Sequence, residues 1–352
     1  MSGPDTNVRQ EQRAQTKVAL SVMIVPLFFV IGFAACIIGA YHKPHPNGIK
    51  IGVVAPAAQV GPLLTGLQKA AGSAFDISSA STVAEAVDKV RHRDLNAAFV
   101  AATNPKQPGT VVVASANGRL VATAAETLAR SVTVAQGAPL TVRDVRPLTS
   151  GDEIGLGVFL FMIVCTICGY IAPTVLETAT PALRPARRYA VLAGTATLVA
   201  ALAYLIGGLG YGVYKGSVGT ILAFIGVGAL YAFVMGLGTR LFQVLFGPPG
   251  IFLSLALLVF LNVASLGATY TSPVLAPFWK FLNHFWVGAG AVNAERSILY
   301  FGGRGVGTDM LRLLVWTVVI VALLLLPASR KLERQRERSV DAVPASPVGA
   351  AV

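Results

Sequence analysis

The chain has 352 residues, 54% of them hydrophobic and 12% charged, with a mean hydropathy of +0.67. A soluble domain carries roughly 25% charged residues, so this composition excludes an ordinary globular chain and points to a bilayer as solvent. The net charge of +12 comes largely with basic residues flanking apolar runs, and no nucleic-acid-binding motif is present, so nucleic acid is not an expected partner.

Residues 1–17 read as a polar N-terminal tail with Arg9, Arg13 and Lys17. An apolar run over 18–41 predicts the first membrane helix. It is too long for a signal-peptide core and lacks a cleavage site, so it is expected to be a retained anchor. Pro26 is expected to kink it.

Residues 42–150 do not read as membranous. Lys50–Val54 predicts a buried strand, Val60–Ser73 a helix, and Phe75–Ile77 a short strand. Ser81 or Thr82 is placed to cap a helix running through Arg93. Strands follow at 95–101 and 110–114, then a turn at Asn117-Gly118, a helix over 121–134 and a last strand over 140–145. Alternating strand and helix predicts a small α/β domain with a partly parallel sheet, inserted between helices one and two.

Five further apolar runs, at 154–176, 189–208, 218–237, 251–270 and 311–326, make a bundle over 151–327. Each approaches the ~20 residues that cross ~30 Å of hydrocarbon. The fold class expected is an α-helical polytopic membrane protein with six transmembrane helices. The last run is the shortest, and Arg312 is expected to snorkel.

Between helices five and six, residues 273–305 form neither a loop nor a full crossing. Phe278, Phe281, Leu282 and Phe285 share one helical face opposite Lys280, Asn283 and His284, which predicts an amphipathic helix at the headgroup boundary. Gly288, Gly290 and Gly302-Gly303 are read as breaks around a second short helix at 291–301. The pair is expected either to re-enter the membrane or to lie at its interface.

Loop charge orients the chain. Arg184, Arg187 and Arg188 follow helix two, Arg240 follows helix four, and the tail over 328–352 holds Arg330, Lys331, Arg334, Arg336 and Arg338. With six crossings these fall on the side of the basic N-terminus. The positive-inside rule makes that side cytoplasmic, with both termini inside and 42–150 outside. A bacterial plasma membrane is the expected location.

No P-loop and no nucleophile paired with a base is present, so an enzyme is not expected, nor a cofactor. His42, His45, His92 and His284 show no metal spacing. Cys165-x-x-Cys168 has the spacing of a redox or metal pair but lies in an apolar run without a second ligand pair, so small apolar packing residues are the expected reading. The glycines of helices three and four allow close helix approach, either in a mobile transport bundle or in static packing. Asn262 is a lone amide in helix five, expected as interhelical glue or as a substrate ligand. Glu295-Arg296 is a charged pair near the membrane, expected as a functional site or as an ion pair holding the hairpin.

The layout resembles the ABC-2-type exporter permeases, and within them the phage-infection-protein-like branch. The stretches that carry this are Ile49–Val54, Pro147–Asp152 with Gly155, and Pro277–Trp279 through Ala289, Ala291-Val292, Glu295-Arg296 and Ile298–Gly303. The resemblance implies a homodimer in contact with membrane lipids, exporting an amphipathic, lipid-like or drug-like substrate, with energy from a separate ATPase subunit acting at Arg184–Arg188. The chain departs from the best-understood exporters in two places. Its N-terminus has little apolar face, and Pro181 and Pro185 oppose a helical docking loop. The alternative is a membrane-anchored surface protein that binds an extracytoplasmic partner, as a receptor or as a scaffold for a cell-envelope or secretion apparatus.

Overall fold

The computed structural model describes residues 4–332 apart from 105, 181, 328 and 330. Pro181 and nearly all of the basic segment 328–352 lie outside the described residues.

Six helices are long and apolar enough to cross a membrane: Gln12–Tyr41, Gly157–Ala179, Pro185–Gly210, Val218–Phe246, Pro248–Ser265 and Val306–Leu325. The chain is a helical polytopic membrane protein. The first span joins α1 (Pro4–Val22) to α2 (Ile24–Tyr41) through Met23. The N-terminal segment expected as a tail is thus helical from Pro4, because its Gln, Glu, Arg and Ala residues are good helix formers and nothing interrupts them.

Next come β1 (Ile49–Val54), α3 (Ala57–Ala71), β2 (Phe75–Ser79), α4 (Val83–Arg91), β3 (Ala97–Val100), β4 (Gly109–Val113), α5 (Arg119–Ala135) and β5 (Leu140–Asp144). They form one five-stranded sheet in the order β2-β1-β3-β4-β5. β1 pairs in parallel with β2 and β3, β4 is antiparallel to β3, and β5 is parallel to β4. The inner strands β1, β3 and β4 read as largely apolar runs because both faces are covered, whereas the edge strands β2 and β5 are mostly exposed. Ile49, Ile51, Val53, Phe99, Val111 and Val113 pack beneath α3 and α5, while Ala98 and Val112 face α4. Thr82 caps α4 by accepting from the Glu85 amide, and Glu85 reaches back to the Ser81 amide. Gly118 has φ +140°, and a Cβ there would stand 2.7 Å from Thr271 Oγ1, so turn and docking both require glycine.

The remaining helices are α6 (Gly157–Ala179), α7 (Pro185–Tyr204), α8 (Val218–Phe246), α9 (Pro248–Ser254), α10 (Asn262–Ser265), α11 (Pro277–Phe285), α12 (Val287–Tyr300) and α13 (Val306–Leu325). Wide π turns occupy Leu205–Gly210 after α7 and Leu255–Leu261 between α9 and α10. Asp152 accepts from the Leu156 and Gly157 amides and so starts α6. Burial raises its carboxyl above the usual range, opposed by those amide bonds.

The structure departs from four expectations. Helix four does not end at Leu237; α8 runs to Phe246, and Arg240 is inside the helix and only 3% exposed, not in a loop. Pro185 occupies the first turn of α7, where a missing N–H costs nothing. Arg187 and Arg188 are therefore helical, and the connection after α6 is shorter than expected. Gly288 and Gly290 do not break the chain but lie within α12. Asn283 is not on a solvated face: it is buried and donates to the Ser265 carbonyl at 2.8 Å, while Phe278, Phe281 and Phe285 are exposed.

α6 and α8 meet at glycine. A Cβ at Gly169 would stand 2.5 Å from Met235 Cβ and 2.6 Å from the Ala232 carbonyl. Gly169→Leu is expected to cost about 3 kcal/mol through overpacking. Gly194→Leu, where nothing lies within 4 Å, is expected to be near neutral. Thermal unfolding of the two purified variants in detergent checks the difference.

Candidate functional site

α12 is built of small residues on its first turns, Gly288, Ala289, Gly290 and Ala291, which let it sink between neighbouring helices. From there it presents two unlike stripes. Asn293, Arg296, Ser297 and Tyr300, at i, i+3, i+4 and i+7, form a polar one. Gly288, Ala291, Val292 and Glu295 form the other, within the packed interior of the bundle.

The polar stripe receives the α/β layer. Arg93, just beyond α4, has φ +69°, a left-handed conformation that a side chain other than glycine rarely adopts. Its guanidinium donates to Asn117 Oδ1 at 3.0 Å, Ser297 Oγ at 2.7 Å and Asn293 Oδ1 at 3.1 Å. It also lies over the Phe301 ring, 5.3 Å from the centroid. Burial lowers the Arg93 proton affinity, with Asp309 opposing that shift. Arg296 turns to the backbone that follows α10, donating to the Ala268 carbonyl at 2.5 Å and more weakly to that of Gly267 at 3.4 Å.

Glu295 does something different. It is 0% exposed, and neither carboxyl oxygen has a hydrogen-bond partner among the described residues. A Cβ on Gly228 of α8 would lie 3.4 Å from its Oε1, so the carboxyl is packed against that helix. Glu295 and Arg296 therefore do not form the expected ion pair; adjacent residues on a helix point about 100° apart.

Asn262 stands beside this centre and is also 0% exposed. It donates to Tyr231 Oη at 2.6 Å and accepts from the Gly288 amide at 3.0 Å. Tyr231 Oη in turn lies 2.7 Å from Thr166 Oγ1. One amide so joins α10, α8 and α12, and the tyrosine extends the chain to α6. These are interhelical hydrogen bonds made by a fully buried amide. Tyr231→Phe is expected to cost about 1 kcal/mol, the usual size for an interhelical hydrogen bond in a membrane protein. A double-mutant cycle with Asn262→Ala checks whether that energy is shared.

The arginines after α6 lie apart from this centre. The centre reaches α6 at Thr166, and Glu177 lies 11 residues further on, about 16 Å along the helix axis. At its far end Glu177 pairs with Arg240 of α8 and with Arg188 of α7, the latter at 3.6 Å. Arg188 is buried in this cluster, whereas Arg184 and Arg187 are exposed. Glu177, Arg93, Asn293 and Tyr231 were not singled out in the sequence. Only the i, i+3, i+4, i+7 spacing of 293–300 carried a signal for any of them.

Several clefts line the described residues, among them an apolar one of about 540 Å³ between α6 and α7, and two bear on function. One, of about 590 Å³, is lined by Phe29 and Phe33 of α2, Ile163 and Tyr170 of α6, and Leu255 and Val259 of the π turn. The other, about 500 Å³, lies at the carboxyl ends of β1 and β3 and carries Gln59, Thr103, Asn104 and Gln136. Among the described residues no group of three His, Cys, Asp or Glu could hold a metal ion. No protein-family model, no curated protein and no solved structure matches the chain.

Proposed function

We propose that this protein is a cell-membrane permease that exports an amphipathic or lipid-like substrate. In this reading both termini are cytoplasmic, the α/β layer is an extracytoplasmic domain, and the working unit is a homodimer. The observation that carries the proposal is the apolar cleft between α2, α6 and the Leu255–Leu261 turn. Its volume of about 590 Å³ lies within the range of small-molecule sites, roughly 300–1,000 Å³. Its walls are side chains of membrane-spanning helices, so a molecule with an acyl chain could enter from the lipid. A polar headgroup would then lie near the buried polar centre around Asn262. A separate ATPase subunit would meet the end of the bundle that carries exposed Arg184 and Arg187.

The test uses inverted membrane vesicles from cells producing the protein, loaded from outside with a fluorescent short-chain phospholipid. The expected result is accumulation above that of vesicles lacking the protein, and a loss of that excess when Ile167, a wall residue of the cleft on α6, is enlarged by Ile167→Trp. Equal accumulation with and without the protein overturns the permease reading. Topology is checked by single cysteines at Gln59 and Ala182, both exposed, in a chain without Cys36, Cys165 and Cys168. They are expected to label oppositely with an impermeant reagent in intact cells.

The second reading is a surface receptor or scaffold. It is favoured by the 500 Å³ crevice with its four neutral polar side chains, which sits where ligands bind in open α/β sheets, outside the carboxyl ends of parallel strands.

A further inference from the structure

We propose that Glu295 is a proton-binding site of the transport cycle, holding a proton while the bundle is closed and giving it to water when the bundle opens. The inference rests on the permease reading. Its starting point is geometric. The carboxyl is wholly buried in the interior formed by α6, α8 and α12, and neither oxygen is hydrogen-bonded among the described residues. A buried carboxylate is ordinarily paired with a cation, ringed by donors or bound to a metal.

Among the described residues, the elements around α12 supply no such compensation. α6 brings Cys165, and the 211–217 connection brings Tyr214, whose hydroxyl donates to the Gly157 carbonyl; neither is a cation. α8 brings Tyr231, whose hydroxyl is engaged with Thr166 and Asn262. α13 contributes Asp309, whose carboxyl interacts with Arg93, Arg312 and Arg296, and Arg312, whose stem lies against Gly290. α11 contributes Lys280, bound to Asn47, and His284, bound to the Lys280 carbonyl. Arg93 and Arg296 serve the opposite stripe of α12. The ligand that removes the charge without needing room is a proton.

The chemistry is a simple exchange. The carboxylic acid gives H⁺ to a water molecule, leaving a carboxylate and hydronium, and the return step reverses this. The change of charge ties occupancy of the site to hydration of the bundle. A carboxylate favours the open, wetted state and the neutral acid the closed one. A proton gradient would then bias the direction of movement.

The experiment has two parts, both on the full chain in liposomes. Infrared difference spectroscopy at neutral pH is expected to show the carbonyl stretch of a neutral carboxylic acid in the natural protein, shifted in heavy water and lost in Glu295→Gln. Liposomes with an internal pH-sensitive dye and an imposed membrane potential are expected to show proton entry with the natural protein and none with Glu295→Gln. A fluorescent short-chain phospholipid is followed in parallel. If the acid band is absent, or persists unchanged in Glu295→Gln, the proposal is overturned. If the lipid probe moves at the same rate with and without a pH gradient, proton coupling is overturned and the permease reading stands. If protons enter through Glu295 but the lipid probe does not move, and accumulates equally in the inverted membrane vesicles with and without the protein, the permease reading fails and the proton site stands. The neutral glutamine matches the shape of the protonated acid, and the infrared measurement on the natural protein does not depend on the variant.

Discussion

Arg93→Ala is expected to destabilise the protein by about 3 kcal/mol and to loosen the α/β layer from the bundle. The guanidinium makes three hydrogen bonds and one ring contact, and two of those bonds reach α12, at sequence separations of 200 and 204 residues. Charged hydrogen bonds of this kind contribute roughly 1.5–3 kcal/mol each, but they share one side chain and do not add. Truncation would also leave Asn117, Asn293 and Ser297 without this donor. Arg93→Gly separates backbone from side chain. At φ +69° glycine is unstrained, so this variant is expected to be less destabilised than alanine by about 1 kcal/mol. Hydrogen exchange at 115–118 and 293–301 reads the loosening directly. Unchanged exchange in both variants would show that the apolar contacts of Tyr270, Val274 and Phe301 hold the layer without the arginine.

Glu177→Ala is expected to cost about 2–3 kcal/mol, a value reduced from that of a fully buried pair because water reaches this carboxylate. Glu177 is 38% exposed, whereas the Arg188 and Arg240 side chains it meets are only 3% and 4% exposed. The loss would remove the carboxylate that ties α6 to both α7 and α8. Glu177→Gln keeps a hydrogen-bond acceptor without the charge and is expected to fall between alanine and the natural residue. Thermal unfolding in detergent at low and high salt checks this. A salt response as large as that of a surface pair would mean the cluster is more open than it stands here.

Much of the helical architecture was legible because a bilayer imposes a simple code of apolar length. Six runs of hydrophobic residues predicted six spans, and each span observed overlaps its run. The small sheet was also readable strand by strand, since short runs bounded by glycine, proline and caps, three of them rich in Ile, Val or Thr, leave few other readings. What escaped was contact at long separation. The end of α8 was placed at Leu237 because Arg240 read as a basic residue of the following loop; its burial depends on α6, where Glu177 lies 63 residues from Arg240. Gly288 and Gly290 read as breakers because, alone, glycine weakens a helix. In α12 they admit Asn262 and the α13 backbone at distances no Cβ would allow. Asn262 and Glu295-Arg296 were visible as polar residues in an apolar setting. Their separate partners, and the absence of any for Glu295 among the described residues, were not, because direction on a helix decides them.

The wide turn at Leu255–Leu261 has a mechanical consequence. A π turn holds one residue more than an α turn closes, so it stores a unit of slack inside an otherwise continuous helix. If that slack migrated along the span, every side chain it passed would swivel by about 100°. Asn262 begins immediately after it. Such a swivel would take the amide off Tyr231 and Gly288 together and unfasten α10 from α8 and α12 in one motion, while α9 at the far end stayed in place. The fifth span is thus built as a gearwheel with one surplus tooth, set next to the pawl that keeps it from turning.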